Sequence, residues 1–346
     1  MMKALVYEGP GHKSWQQVPL PSLQDQEDAI VRVDAVTICG TDLHILKGDV
    51  PEVESGRILG HEAVGTVLEI GTGVRRIAVG DRVLVSCICG CGRCRYCREG
   101  RFGQCLGGGG WVLGHLIDGT QAEFVRVPFA DSSLYTIPDV VSDEDALMLA
   151  DILPTAYEVG ILNGQVRPGD TVVIVGAGPI GLSAITAASL FSPGHIVVVD
   201  LAESRLEAAK QFGAHTTVLP DQARELVRQH TAGLGADVVI EAVGAPETFQ
   251  LCTDLVRPGG RVANIGVHGK PATLHLETLW SRNVTITTGL VDTFSTGSLL
   301  TMLATGQLNT HRLITHRFHI DDMLSAYDTF ADAAKTGALK VTLTRE

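Results

Sequence analysis

TVVIVGAGPIGLSAI, residues 171–185, is an apolar run that breaks at a glycine and resumes in helix-forming residues. Gly176, Gly178 and Gly181 form G-x-G-x-x-G where a strand passes into a helix, with Pro179 and Ile180 between the last two. Glycines at those points let the backbone approach a pyrophosphate, whose charge then sits at the positive end of the helix. HIVVVD follows, and its Asp200 lies 24 residues after Gly176, where an acid accepts hydrogen bonds from an adenosine ribose and repels a 2′-phosphate. The pair predicts a dinucleotide, NAD rather than NADP, although Arg205 is a nearby cation that tolerates a phosphate. Around this centre, short apolar strands (HIVVVD, ADVVIEAVG, GGRVANIG, NVTITTG) alternate with helix-length segments at 180–191, 203–212, 221–231 and 246–256. That is the rhythm of a doubly wound parallel sheet, so the fold class is α/β.

Upstream the texture differs. To about Gly160 the chain consists of short β-like runs punctuated by glycine (KALVYEG, DAIVRVDAV, AVGTVLEIG, GDRVLVS, AEFVRVP), which predict a twisted, barrel-like β domain. The change comes near Pro168, and from about Val291 a helix, a strand, a helix and a strand extend no βαβ series and are expected to return to the first domain. With 346 residues and 45% apolar content, the chain buries a sizeable core. A net charge of −12 without any Lys/Arg-rich run argues against nucleic acid. No apolar run reaches the ~18–20 residues of a membrane span, and MMKALVYEGPG lacks signal-peptide features, so a cytoplasmic protein with no membrane partner is expected.

Six of eight cysteines fall within residues 87–105. Cys91, Cys94, Cys97 and Cys105 are spaced C-x2-C-x2-C-x7-C, four soft ligands on one tight loop, as a closed tetrahedral zinc site requires. An iron–sulfur cluster is the competing metal, but its common bacterial run ends in C-x3-C-P, which is absent here. Four sulfurs leave no open position, so this zinc is structural, while Cys87, Cys89 and Cys252 read as spare buried thiols.

A second group is scattered. CGTDLH (39–44) and GHEAVG (60–65) hold Cys39 and His61, each of which alone is more often an ordinary core or surface residue than a ligand. LMLADILPT (147–155) places Asp151 inside an apolar run, in a helix expected to start at a Ser142/Asp145 capping box. That puts the acid near the helix's C-terminal end, where the dipole disfavours it, so a stronger partner is needed. Cys39, His61 and Asp151 would be three ligands with a fourth position open, the pattern of a catalytic zinc. Glu62 is placed to enter and leave the coordination sphere, and Asp42 to orient the His61 ring.

Taken together, these residues, GHE, the four close cysteines and GAGPIG resemble the zinc-dependent medium-chain alcohol dehydrogenases along essentially the whole chain. The resemblance implies a GroES-like β domain carrying both zinc ions (residues 1–154 and 292–346) and a Rossmann NAD-binding domain (155–291). It implies reversible hydride transfer between an alcohol and NAD, and a homo-tetramer. It assigns Thr41 to the alcohol hydroxyl, His44 to the end of the proton relay, Thr155, Leu290 and Val291 to the nicotinamide, and Trp111 with Leu290 to the substrate pocket. Gly40 stands where some members carry a phosphate-binding Arg, and Lys340 resembles a C-terminal cation that reaches the same phosphates. Asp151, where many members have Cys, looks like the bacterial secondary-alcohol branch. The best-known members of that branch lack the four-cysteine lobe and prefer NADP, whereas this chain has the lobe and Asp200. Apolar residues near Trp111 and Leu290 favour monofunctional alcohols over the alternative, a polyol, diol or amino-alcohol dehydrogenase of the same superfamily. The non-enzymatic alternative is a sensor that binds NAD and zinc without turnover.

Overall fold

The apolar run at the head of the glycine loop forms the strand Thr171–Val175, buried almost throughout because both sheet faces are covered. A computed structural model describes residues 1–345. Among these, Thr171–Val175 is flanked by His195–Val199 on one side and Ala236–Glu241 on the other, in a six-stranded parallel sheet. Thr216–Val218 lies beyond the former, Val256–Asn264 and Thr285–Thr288 beyond the latter. Chain order therefore reverses at Thr171–Val175, and the loop leaving its C-terminal end occupies the switch point where such sheets bind ligands. Helices Pro179–Ser189, Glu203–Gln211, Pro220–His230 and Pro246–Leu255 occupy the expected segments. The three-residue strand Thr216–Val218 is too short to announce itself in sequence.

The packing separates two compact units, Met1–Asp151 with the chain from Asp292 onward, and Ile152–Val291. In the first, seven strands run in the order Ile314–His319, Lys340–Thr344, Ala29–Thr37, Ala63–Ile70, Arg82–Val85, Leu134–Thr136, with Phe124–Val127 also on Ala29–Thr37. The closing strand of the chain thus pairs antiparallel with Ala29–Thr37. Met2–Gly9 and His12–Val18 make a separate hairpin. Val31, Val33, Val67, Val83, Leu343 and Tyr327 are in the core of this unit. No helix among the described residues is long and apolar enough to cross a membrane.

Around Asp151 the structure departs from expectation. Ser142 does cap a helix, its Oγ accepting from Asp145 N at 3.1 Å, but that helix ends at Leu147. The bonds of Leu149 and Ala150 tighten to the residues three before them, and the Ala150 carbonyl accepts instead from Cys87 N. Asp151 consequently precedes a new helical stretch, Ile152–Thr155, rather than closing the first helix, so the dipole argument against its charge does not apply.

Candidate functional site

Strand register assembles the scattered residues. Val36 pairs with Ala63 and Ala63 with Val85. Cys39, His61 and Cys87 lie two or three residues outside that row, at one end of the sheet. The Cys87 N–H holds the Ala150 carbonyl at 3.1 Å, which delivers the neighbouring Asp151 to the same end. Cys39, His61, Glu62 and Asp151 each place a ligand-type atom within 4.8 Å of the others. Cys39 Sγ is 3.6 Å and His61 Nε2 3.5 Å from Asp151 Oδ2, and His61 Nε2 is 4.0 Å from Glu62 Oε1. Zinc bonds of ~2.0–2.3 Å in a tetrahedron give ligand-to-ligand edges of about 3.3–3.8 Å, so Cys39, His61 and Asp151 fit the ion.

The electrostatics point the same way. Burial pushes the Cys39 thiol and the Asp42 carboxyl up. Burial alone pulls His61 down, but Asp151 and Cys39 outweigh it and hold the imidazole well above its usual value. A thiol and several carboxyl groups gathered out of water around one imidazole require further positive charge.

The surroundings hold residues that sequence reasoning missed. Asp42 Oδ2 accepts from Cys39 N and from Gln121 Nε2, both at 2.9 Å, and Gln121 Oε1 accepts from Tyr327 Oη at 2.7 Å. Asp42 Oδ1 stops 3.9 Å from His61 Nδ1, a proximity rather than a hydrogen bond. Trp111 stands edge-on to His61 and stacks on His115. Thr41 Oγ1 is 3.6 Å from Cys39 Sγ, and on the same helix, Gly40–Lys47, the half-exposed His44 meets Asp49 Oδ2 at 2.9 Å through Nδ1. Lys340 is corrected. Instead of offering a free cation to phosphates, it is 2% exposed, with Nζ 2.9 and 3.0 Å from the two Glu62 oxygens and 3.3 Å from the Ile38 carbonyl. It sits beside Val341 on the strand next to Ala29–Thr37, and that strand's pairing turns it inward.

In the lobe, the Sγ atoms of Cys91, Cys94, Cys97 and Cys105 all lie within 4.8 Å of one another, with Cys91 and Cys97 3.9 Å apart. Backbone N–H groups of Cys97 and Leu106 point at Cys94 Sγ, and those of Cys91 and Gly107 at Cys105 Sγ, at 3.3–3.4 Å. Such donors favour thiolate. Those from Cys97 and Leu106 bring Cys94 down to about 6. The four-sulfur set fits zinc. Cys87, Cys89 and Cys252 are buried.

At the glycine loop, a Cβ on Gly181 would meet the Gly176 carbonyl oxygen at 1.9 Å, whereas one on Gly178 would meet nothing within 4 Å. Gly181 is therefore needed for the helix to pack against the turn, and Gly178 leaves an open flank at the N-terminus of Pro179–Ser189, which fits a phosphate. Asp200 ties the loop to the neighbouring strand, accepting from Ala177 N at 2.7 Å and from Ala202 N at 2.9 Å, with Arg205 4.0 Å away. Leu290 and Val291 follow Thr285–Thr288 at the same sheet edge, Leu290 exposed and Val291 buried, and Thr155 ends its helix half-buried. Glu241, fully buried at the end of the adjacent strand, went unanticipated; it accepts from Val243 N, Gly244 N and Thr248 Oγ1 and so orders the facing loop.

Comparison with known proteins gives two family matches, the alcohol dehydrogenase GroES-like domain over residues 25–139 and the zinc-binding dehydrogenase over residues 179–303. An alcohol dehydrogenase of Cupriavidus necator is 35% identical, covering 99% of this chain and 98% of its own length. Among solved structures, the apo form of zinc-dependent alcohol dehydrogenase 2 from Streptococcus pneumonia matches with a TM-score of 0.95 at 46% identity, covering 100% and 99% of the two chains. An alcohol dehydrogenase from Thermus sp. ATN1 matches with a TM-score of 0.91 at 37% identity over 99% of both.

Proposed function

The chain belongs to the zinc-dependent medium-chain alcohol dehydrogenases, and from that premise we propose that it interconverts a primary or secondary alcohol and its aldehyde or ketone with NAD, holding one catalytic and one structural zinc. The observation that carries this reading is the approach of Cys39, His61 and Asp151 to tetrahedral-edge distances beside the hydroxyl of Thr41. Zinc held by Cys39, His61 and Asp151 would supply Lewis acidity toward an alcohol oxygen, and NAD held at the glycine loop would supply the hydride acceptor.

The protein's own groups do the rest. Thr41 is positioned to take the alcohol proton, and His44 lies one helical turn further on. The Asp49 carboxylate accepts from His44 Nδ1, which fixes the tautomer and leaves Nε2 as the base at the end of the relay. Glu62, gripped by Lys340, stands 4.0 Å from His61 Nε2, near enough to compete for the ion only if that grip loosens. Asp151 as third ligand favours the secondary-alcohol branch. The test is alcohol-dependent NADH formation by protein carrying two zinc ions per chain; activity that survives complete removal of zinc by a chelator would exclude the mechanism.

Asp200 supports NAD. Asp200→Gly removes the charge that repels a 2′-phosphate and leaves Arg205, so the ratio of kcat/KM for NADP to that for NAD is expected to rise at least ~10-fold, about 1.4 kcal/mol. An unchanged ratio would remove Asp200 from cofactor choice. For the lobe, Cys97→Ser is expected to release one zinc and lower Tm by more than ~5 °C. Full stability with the lobe empty of metal would contradict a structural role. A homo-tetramer is supported by Thr285–Thr288 as an edge strand near the exposed Leu276 and Trp280, a surface of the kind that seeks a partner, and light scattering reads the mass directly.

A further inference from the structure

Asp42 carries a buried oxygen without a hydrogen bond, Oδ1, while its other oxygen accepts twice, from Cys39 N and from Gln121 Nε2. Chemistry fixes which way the Gln121 amide points. A carboxylate only accepts, so the NH2 end faces Asp42 at 2.9 Å, and the carbonyl end takes the hydroxyl of Tyr327 at 2.7 Å. Gln121 Nε2 also lies 3.5 Å from the Thr37 carbonyl. Asp42, Gln121 and Tyr327 are all buried, where a broken hydrogen bond is not replaced by one to bulk water.

The backbone that carries Gln121 is built against the segment that carries His61. Gln121 N donates to the Leu59 carbonyl and Thr120 N to the Gly60 carbonyl, each at 2.9 Å. A Cβ on Gly60 would meet Gln121 Cγ at 2.5 Å, so the residue before His61 leaves the space that Gln121 fills. Tyr327 comes from the helix Met323–Ala331, in the returning C-terminal segment. With Oδ2 held by two donors, the Asp42 carboxylate is fixed in rotation, and Oδ1 is left 3.9 Å from His61 Nδ1. A metal on His61 Nε2 leaves the ring proton on Nδ1, and that N–H is the donor Oδ1 lacks. Cys39 N alone would hold Asp42 at one point and would not set where Oδ1 is aimed.

We propose that Gln121, oriented by Tyr327, is a positioning residue for the catalytic zinc: it locks the Asp42 carboxylate with Oδ1 aimed at His61 and so sets how tightly the ion is held. This rests on the zinc reading above. The test is competition for zinc by a chromogenic chelator in the zinc-loaded protein, the ion missing from Asp151→Ala identifying the catalytic one and the four-cysteine lobe serving as internal reference. Gln121→Met keeps the side chain's length without its amide, and is expected to raise the Kd of the catalytic zinc by ~10-fold or more with the lobe zinc unmoved. Tyr327→Phe, which deletes only the hydroxyl, is expected to move it in the same direction by a smaller factor. Because Gln121 acts through Asp42, adding Gln121→Met to Asp42→Ala should change that Kd by less than ~2-fold. Cobalt(II) in place of the catalytic zinc should show shifted visible absorption bands in Gln121→Met, which a residue that merely fills the core would not cause. An unmoved Kd in Gln121→Met, equal loosening of both ions, or full additivity with Asp42→Ala overturns the inference alone. Wild-type protein that takes up zinc only in the lobe overturns the catalytic-zinc reading and the inference with it.

Discussion

Asp151→Ala is expected to lower alcohol oxidation by at least ~10³-fold and to bring zinc down from two ions per chain to one, with little change in Tm. The rate estimate follows from the several kcal/mol that Lewis-acid stabilisation contributes, each 1.36 kcal/mol being a factor of ten. Zinc loss follows from geometry. Without Asp151 only Cys39 and His61 remain as unencumbered ligands, because Glu62 is bound at both oxygens by Lys340. The fold should persist because the Asp151 side chain is 18% exposed and belongs to no packed apolar layer. Asp151→Cys, which supplies another anionic ligand, should regain metal and part of the rate. Metal analysis and kinetics on the same preparations decide the matter, and two retained zinc ions with intact turnover in Asp151→Ala would end the assignment of this residue as a ligand.

What the sequence made legible depended on how local the signal was. The glycine loop and the four-cysteine lobe are each written within about 15 consecutive residues, where spacing alone carries the geometry. The βαβ alternation was equally plain, since the central strands Thr171–Val175, His195–Val199 and Ala236–Glu241 are largely Val and Ile. The cluster of Cys39, His61 and Asp151 was not local: it exists because Val36, Ala63 and Val85 fall in one cross-strand row, and register cannot be read from three separate segments. Ligand chemistry suggested the set, a thiol, an imidazole and an acid displaced into an apolar run, and the resemblance implied the same three residues. Gln121, Tyr327 and His115 escaped for the same reason, being single polar residues in unremarkable surroundings whose partners are reached through tertiary packing. Asp151 was placed on the wrong side of a helix end because the last turn tightens at Leu149 and Ala150, and the Ala150 carbonyl, whose helical partner would be Pro154 with no N–H, accepts from Cys87 N instead.

Lys340 shows most sharply how a residue's type can be read correctly and its task not, and it yields the largest expected effect on stability. Lys340→Met should destabilise the protein by about 3–5 kcal/mol, because it keeps the length of the side chain but leaves the Glu62 carboxylate, 1% exposed, without its counter-charge. Burial works against the Lys340 ammonium, yet the charge of Glu62 outweighs it and raises the Lys340 pKa, while burial pushes the Glu62 carboxyl up against the pull of Lys340. Adding Glu62→Gln to Lys340→Met should recover most of the loss, since the cost lies in the orphaned charge rather than in the missing bond. A phosphate-binding lysine makes the opposite forecast: Lys340→Met would weaken NADH binding at unchanged stability, and Glu62→Gln would restore nothing. Urea unfolding of the single and double variants, with NADH binding followed by fluorescence, separates the two, and a stable Lys340→Met that binds NADH poorly would return this lysine to the nucleotide.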